Sequence, residues 1–307
     1  MEWNPGNRRA QLLELLGDLP DEEPITAKVL KVEERDGYLL ETLLLDLNGI
    51  EPVPAYVAKP NEGSGPFPLV VFNHSHGGNY GNGRKEMIVS NSYLQEVSFA
   101  KELTGMGCAV CCIDMWGFNE RSGKTESELV KEMLWTGRVM WGMMLYDNRR
   151  FLDYMCGRRD IDASRIGTIG MSMGGLMAWW MAALDERIRV TIDICGQVDA
   201  GTLIAKRGLD HHGFYSYVPG LLKHFTTLDI QKLIIPRPRM SLVGRDDRLC
   251  PIEGAELLAV GLHKAYEAAG SPEHWQPVLC GGGHRETAEM RAAWQPFLKK
   301  HLLEING

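Results

Sequence analysis

The sequence predicts an α/β fold on a mostly parallel central sheet, with antiparallel strands at the N-terminal side and helices on both faces. Three observations carry that expectation. From Pro68 onward, short strand-like runs alternate with longer helical ones, the pattern of right-handed βαβ units. Before Pro68, three strand-like runs are parted by Asp36-Gly37 and Asn48-Gly49, dipeptides suited to hairpin turns. The chain has 307 residues, 44% hydrophobic and 24% charged, so it can bury a large core without an internal repeat or low-complexity tract. The expected organisation is one domain over 1–307. Residues 1–66 would supply a helix and the antiparallel strands, and 197–235 a cap or lid over one end of the sheet.

The elements follow in order. Leu12, Leu13, Leu15 and Leu16 recur at helical spacing over residues 8–16, and Gly17 and Pro20 stop that helix. ITAKVLKVEE, YLLETLLLDL and IEPVPAYVAK are the three meander strands. LVVFN opens the alternation. A helix over Tyr93 to Thr104, the strand CAVCCID, one long helix near Ser127 to Met155, the strand RIGTIG, a helix from Gly174 to Leu184 and the strand VTIDICG come next. Residues 197–235 break the rhythm with His211-His212, Tyr215, Tyr217 and Pro219, which marks an excursion away from the sheet. RMSLVG, a helix over Ile252 to Ala269, QPVLC and a helix over Thr287 to Leu303 complete the pattern. Met133, Trp135, Met140, Trp141, Met143 and Met144 fit core packing at helical spacing better than a substrate surface.

Charge excludes several functions. Lys and Arg number 33 against 40 Asp and Glu, a net charge of −7, so no basic field exists to attract nucleic acid or an anionic membrane. The seven scattered cysteines lie mostly in apolar runs and read as free thiols of a reducing compartment, for which the cytoplasm is the expected location. The N-terminus lacks the basic start and apolar run of a secretory signal. The most membrane-like stretch, Leu134 to Tyr146, is too short to span a bilayer and is interrupted by Arg138.

The chemistry centres on RIGTIG running into MSMGG. Here a predicted strand ends at Gly170 and a helix begins near Gly174, with Ser172 between them in Gly-x-Ser-x-Gly. A tight strand-to-helix turn admits only small residues two before and two after the serine, and it lifts the hydroxyl out at the carboxyl end of the sheet. A serine alcohol needs a base and the base an orienting acid, in chain order Ser, acid, His. Asp247, in the loop after SLVG, is the expected acid; Asp246 is the solvated neighbour, and Asp193 and Asp199 are outside alternatives. His284, behind three glycines after QPVLC, is the expected base. LVVFN ends in His74-Ser75-His76-Gly77-Gly78, where the backbone N–H of His76 would join that of Met173 in an oxyanion hole. The competing role for His74 and His76 is zinc binding, but no third ligand and no HExxH follow, so no metal is expected. GGNYGNG has the wrong glycine order for a dinucleotide site, so no cofactor is expected either.

FNHSHGGN, GRKE at Gly83 to Glu86, CCIDMWGFNER, GTIGMSMGG, LVGRDDRLCP and GGGH together resemble the α/β-hydrolase superfamily from about residue 50 onward. More narrowly they look like its bacterial dienelactone-hydrolase-like and acetyl-xylan-esterase-like branch. The resemblance implies a serine hydrolase, commonly a carboxylesterase, with Ser172, Asp247 and His284 as triad. Two departures are visible: Ser75 stands where the family's His-Gly-x-Gly loop has glycine, and the cysteine nucleophile of dienelactone hydrolases proper is absent. The expected activity is ester hydrolysis through an acyl-enzyme, with short acyl groups from acetyl to about butyryl preferred, because Met171 and Met173 flank Ser172, the Met- and Trp-rich helix would pack nearby and the 197–235 excursion would roof the site. His211, His212, Tyr215, Tyr217 and Trp116 are the candidate substrate contacts. The partner would be a small-molecule ester, met by a monomer or a homo-oligomer. A serine peptidase or amidase of the same fold and a non-catalytic binding protein are the alternative functions.

Overall fold

A computed structural model describes residues 4–304. Nine strands form one sheet in the order β1-β2-β3-β5-β4-β6-β7-β8-β9. The first three, β1 (Thr26–Arg35), β2 (Tyr38–Asp46) and β3 (Val53–Pro60), are the antiparallel meander, and Asp36-Gly37 closes the first hairpin with Arg35 opposite Tyr38. β4 (Phe67–Asn73), β5 (Ala109–Ile113), β6 (Ile161–Met171), β7 (Ile188–Ile194), β8 (Arg239–Gly244) and β9 (Trp275–Cys280) run parallel, and β3 joins them antiparallel to β5. β4 (FPLVVFN) and β5 (AVCCI) are buried almost throughout, which is why they read as near-continuous apolar runs, whereas β6 to β8 also bury Thr168, Thr191, Asp193 and Arg239.

Two cores lie on the two faces. One gathers α1 (Pro5–Glu14), α3 (Glu126–Trp135), α4 (Met140–Cys156), α5 (Met173–Leu184) and α7 (Thr227–Gln231), with Leu12, Met143, Trp179 and Ile230 fully or nearly buried. The other packs α2 (Phe99–Gly105) and α9 (Ala288–Leu298) on Phe72, Met171 and Ile192, with Trp294 at its centre. α6 (Ala200–Ala205) and α8 (Ile252–Ala268) cover the remaining end, where Leu262 and Tyr266 meet Trp275. Arg237 locks that end: its guanidinium donates to the carbonyls of Ala182, Asp185, Ile188, Leu233 and Ile234, which ties the end of α5 to the segment before β8.

Two helices differ from expectation. The long helix is two, α3 and α4, because Gly137 at φ +80° ends the first and its carbonyl takes the Asp18 N–H. α2 starts at Phe99 and not Tyr93, since Ser98 caps it and 93–97 form a bonded loop instead. Met133, Met140, Trp141, Met143 and Met144 are core as expected, whereas Trp135 is 93% exposed. Cys108-Ala-Val-Cys111 enters β5, where residues three apart face opposite sides, and all seven thiols are free. Among the described residues no helix is long and apolar enough to cross a membrane.

Candidate active site

Four loops at the carboxyl ends of β4, β6, β8 and β9 converge. Ser172 stands between β6 and α5 with φ +58° and ψ −120°, a strained elbow held by its N–H donating to Ile194 O at 2.8 Å. Glycine is required on both sides. A Cβ on Gly174 would lie 1.9 Å from Asn73 O and one on Gly170 would lie 2.6 Å from the same atom, so the elbow can approach the end of β4 only without side chains there.

His284 Nε2 lies 2.7 Å from Ser172 Oγ, and His284 Nδ1 lies 2.8 Å from Asp247 Oδ2. With the carboxylate accepting the Nδ1 proton, Nε2 is left to accept from the serine hydroxyl. The other Asp247 oxygen accepts the N–H groups of Leu249 and Cys250 at 2.8 and 3.0 Å, so a side chain with no exposure has fixed partners on both oxygens. Asp246 is exposed, Asp193 is buried against Arg239 and Ser241, and Asp199 caps α6. Asp193 and Asp199 are therefore occupied away from His284.

Cys195 Sγ, Asp247 and His284 place their ligand atoms within 4.8 Å of one another. Burial pushes the Cys195 and Cys250 thiols far above their usual range, so both are neutral and poor metal ligands. His74 and His76 do not converge. His74 Nε2 accepts the Met115 N–H at 3.1 Å, and burial lowers this ring to about 4. His76 Nδ1 accepts the Gly78 N–H at 3.2 Å, which leaves its Nε2 to donate to Glu126 Oε2 at 3.1 Å.

The loop after β4 is held by two carboxylates. Glu86 accepts from the Ser75 N–H (2.8 Å), Ser75 Oγ (2.6 Å), Tyr93 Oη (2.6 Å) and Asn91 Nδ2 (3.1 Å). The serine that departs from the family loop is therefore a buried anchor. Glu126, at the start of α3, takes His76 on one oxygen and the Phe214 N–H on the other. Burial alone would raise it, but hydrogen bonds from His76 and Phe214 hold it below the usual carboxylate range.

A cavity of about 620 Å³ opens beside Ser172 and His284, between α5 and the 197–235 excursion.

No protein-family model matches the chain. It is 54% identical over 295 residues, 96% of its length, to the Bacillus subtilis (strain 168) protein named "Putative hydrolase YtaP", of which it covers 99%. Solved structures sharing the fold include Methylesterase BT1017 (20% identity, TM-score 0.72, 96% of this chain and 62% of that one). Another is an acetyl xylan esterase from Paenibacillus sp. R4 (18%, TM-score 0.64, 95% and 99%). The chain belongs to the family of that putative hydrolase, and its fold is the α/β-hydrolase fold.

Within this α/β-hydrolase fold, Tyr215, Tyr217, His212 and Met173 line the cavity together with Ser172. Two expected contacts do not. His211 is exposed outside the cavity. Trp116 is buried under the Arg121 guanidinium, 4.4 Å from its ring, and lines a separate cleft with Ile50 and Arg121. Met171 also points away: it packs with Phe72 and Trp294 in the core of the opposite face, so only Met173 borders Ser172 inside the cavity. The expected squeeze on the acyl group loses Met171, while Met173 and the excursion still border the cavity. Glu86 and Glu126 were invisible in the sequence, where one lies in GRKE without a role and the other reads as an acidic first turn.

Proposed function

We propose that the protein hydrolyses carboxylic esters through an acyl-enzyme, with Ser172 as nucleophile, His284 as base and Asp247 as its orienting acid. The continuous hydrogen-bonded chain from Ser172 Oγ through His284 to Asp247 carries the reading. Ser172 Oγ attacks the ester carbonyl carbon as its proton passes to His284 Nε2; the C–O bond then breaks and the alcohol leaves with that proton. Water, deprotonated by the same nitrogen, hydrolyses the acyl-serine. Asp247, fixed by two backbone N–H groups, holds the imidazole tautomer and stabilises the imidazolium. The oxyanion would bind the N–H of Met173, at the N-terminus of α5, and that of His76, each such donor being worth about 2.7–4 kcal/mol in the transition state. The esterase names of the fold neighbours agree with this reading. Acyl length is left to the cavity and not to a Met171–Met173 constriction.

Ser172→Ala should reduce ester hydrolysis by several orders of magnitude with the circular dichroism spectrum unchanged, and a fluorophosphonate should label Ser172 alone. Labelling of another serine, or full activity in the variant, would refute the assignment.

A further inference from the structure

We propose that the substrate is an ester carrying a bulky apolar group, an alkyl chain of about eight carbons or an aromatic ring, which lies in the cavity between α5 and the excursion, and that sugar esters are excluded from it. This rests on the ester-hydrolase reading above and names its substrate class.

The size comes first. About 620 Å³ lies in the range of cavities that enclose whole drug-sized ligands, far more than an acetyl group fills. The wall comes second. Leu176, Trp179, Val198, Leu203, Val218 and Ile230 dominate it, and Lys223 is its single Lys, Arg, Asp or Glu side chain. Three polar groups on the wall are committed to the protein. Trp179 Nε1 donates to Gly196 O at 3.0 Å, Thr227 Oγ1 accepts the Ala200 N–H at 3.2 Å, and Tyr217 Oη donates to Leu209 O at 3.3 Å. His212 Nε2 is buried without a partner and closed to solvent. The Tyr215 hydroxyl, on a side chain 6% exposed, makes no hydrogen bond to any described residue and is left for a ligand. A sugar would bring several hydroxyls against this wall, and each one left unpaired opposes binding. An apolar group meets no such cost, and each methylene it buries favours binding about fourfold.

Tyr215 also explains why the cavity ends at the reacting serine. Its ring stacks on His76 at 5.4 Å between centroids and tilts against Trp141 at 5.8 Å, closing the side nearest the β4 loop.

Two homologous series test the proposal on the intact protein: acetates of C2 to C10 alcohols, and ethyl esters of C2 to C10 acids, followed by acid release. In at least one series kcat/KM should rise tenfold or more from C2 to C8, and acetylated xylose should be hydrolysed at least tenfold less efficiently than hexyl acetate. Val198→Phe, which narrows the cavity, should cut the C8-to-C2 ratio at least fivefold. A flat or falling profile in both series, or acetylated xylose as the better substrate, would overturn the proposal. Calorimetry on the Ser172→Ala protein separates it from the esterase reading. There 2-phenylethyl acetate should bind at least tenfold more tightly than ethyl acetate whether or not turnover occurs; equal affinities would overturn the cavity assignment. Absence of hydrolysis of every ester by the unmodified protein would overturn only the esterase reading.

Discussion

Asp246 and Asp247 are chemically identical neighbours in opposite surroundings. One is exposed; the other is buried, with two backbone N–H groups on one oxygen and His284 on the other. Asp247→Asn should therefore lower kcat by about 10³- to 10⁴-fold through loss of the tautomer control that a triad carboxylate provides, while Asp246→Asn stays near the unmodified rate. Steady-state kinetics of the two variants decide it. The distinction was legible in the sequence through loop spacing alone, because an acid three residues past the end of β8 is where His284 can reach it. His74 was legible only as part of a motif, and its state is set by burial. Its ring is held neutral down to about 4, against the ordinary value of 6.5, so the unfolded chain binds a proton there that the folded chain refuses. That contribution is complete above about pH 6.5 and is lost as pH falls toward 4. Urea midpoints at pH 7 and pH 5 should differ less in His74→Gln than in the unmodified protein.

Elements meet at Glu126. Its carboxylate joins the first turn of α3, the loop after β4 and the excursion at Phe214, and a Cβ on Gly213 would lie 2.7 Å from it. Glu126→Gln keeps the shape and removes the charge. It should lower kcat at least tenfold through a displaced His76, consistent with the roughly 1.5–3 kcal/mol of a charged hydrogen bond, and it should speed amide exchange at Phe214 and Tyr215. Unchanged exchange there would show that the joint does not hold the excursion. The sequence could not reveal this contact, because 88 residues separate Glu126 from Phe214 and nothing local marks either as a partner. The elbow, by contrast, was readable since its glycines answer a local steric demand: Gly174→Ala would drive a methyl into Asn73 O and should abolish activity or soluble expression. The break between α3 and α4 was missed because apolar residues continue at helical spacing across Gly137, whose turn is stabilised by distant Asp18.

At the scale of the whole molecule, the antiparallel and parallel parts of the sheet are tied by charge. Lys59 and Arg158 each bridge Glu41 and Asp160 at 2.6–2.8 Å, joining β2 and β3 to the connection between α4 and β6. The Arg158 hydrogen bond above all holds Asp160 well below the usual carboxylate range. A carboxylate lowered in this way stabilises the fold above its unfolded pKa near 3.9, and the contribution is lost as pH falls below that value. Asp160→Asn should melt lower than the unmodified protein at pH 7, with the gap narrowing by pH 3, as differential scanning calorimetry would register. At the far margin, all ten residues of β1 are exposed or nearly so, Val29, Leu30 and Val32 included, yet the ladder with β2 slips by one residue between Val29 and Lys31. That slip, set among Lys28, Lys31, Glu33 and Glu34, keeps an open row of main-chain donors and acceptors from templating a strand of another molecule. Removing Leu30 would straighten the margin and turn a guarded border into a seed for fibrils, visible as thioflavin-positive aggregate at concentrations where the intact chain scatters no light.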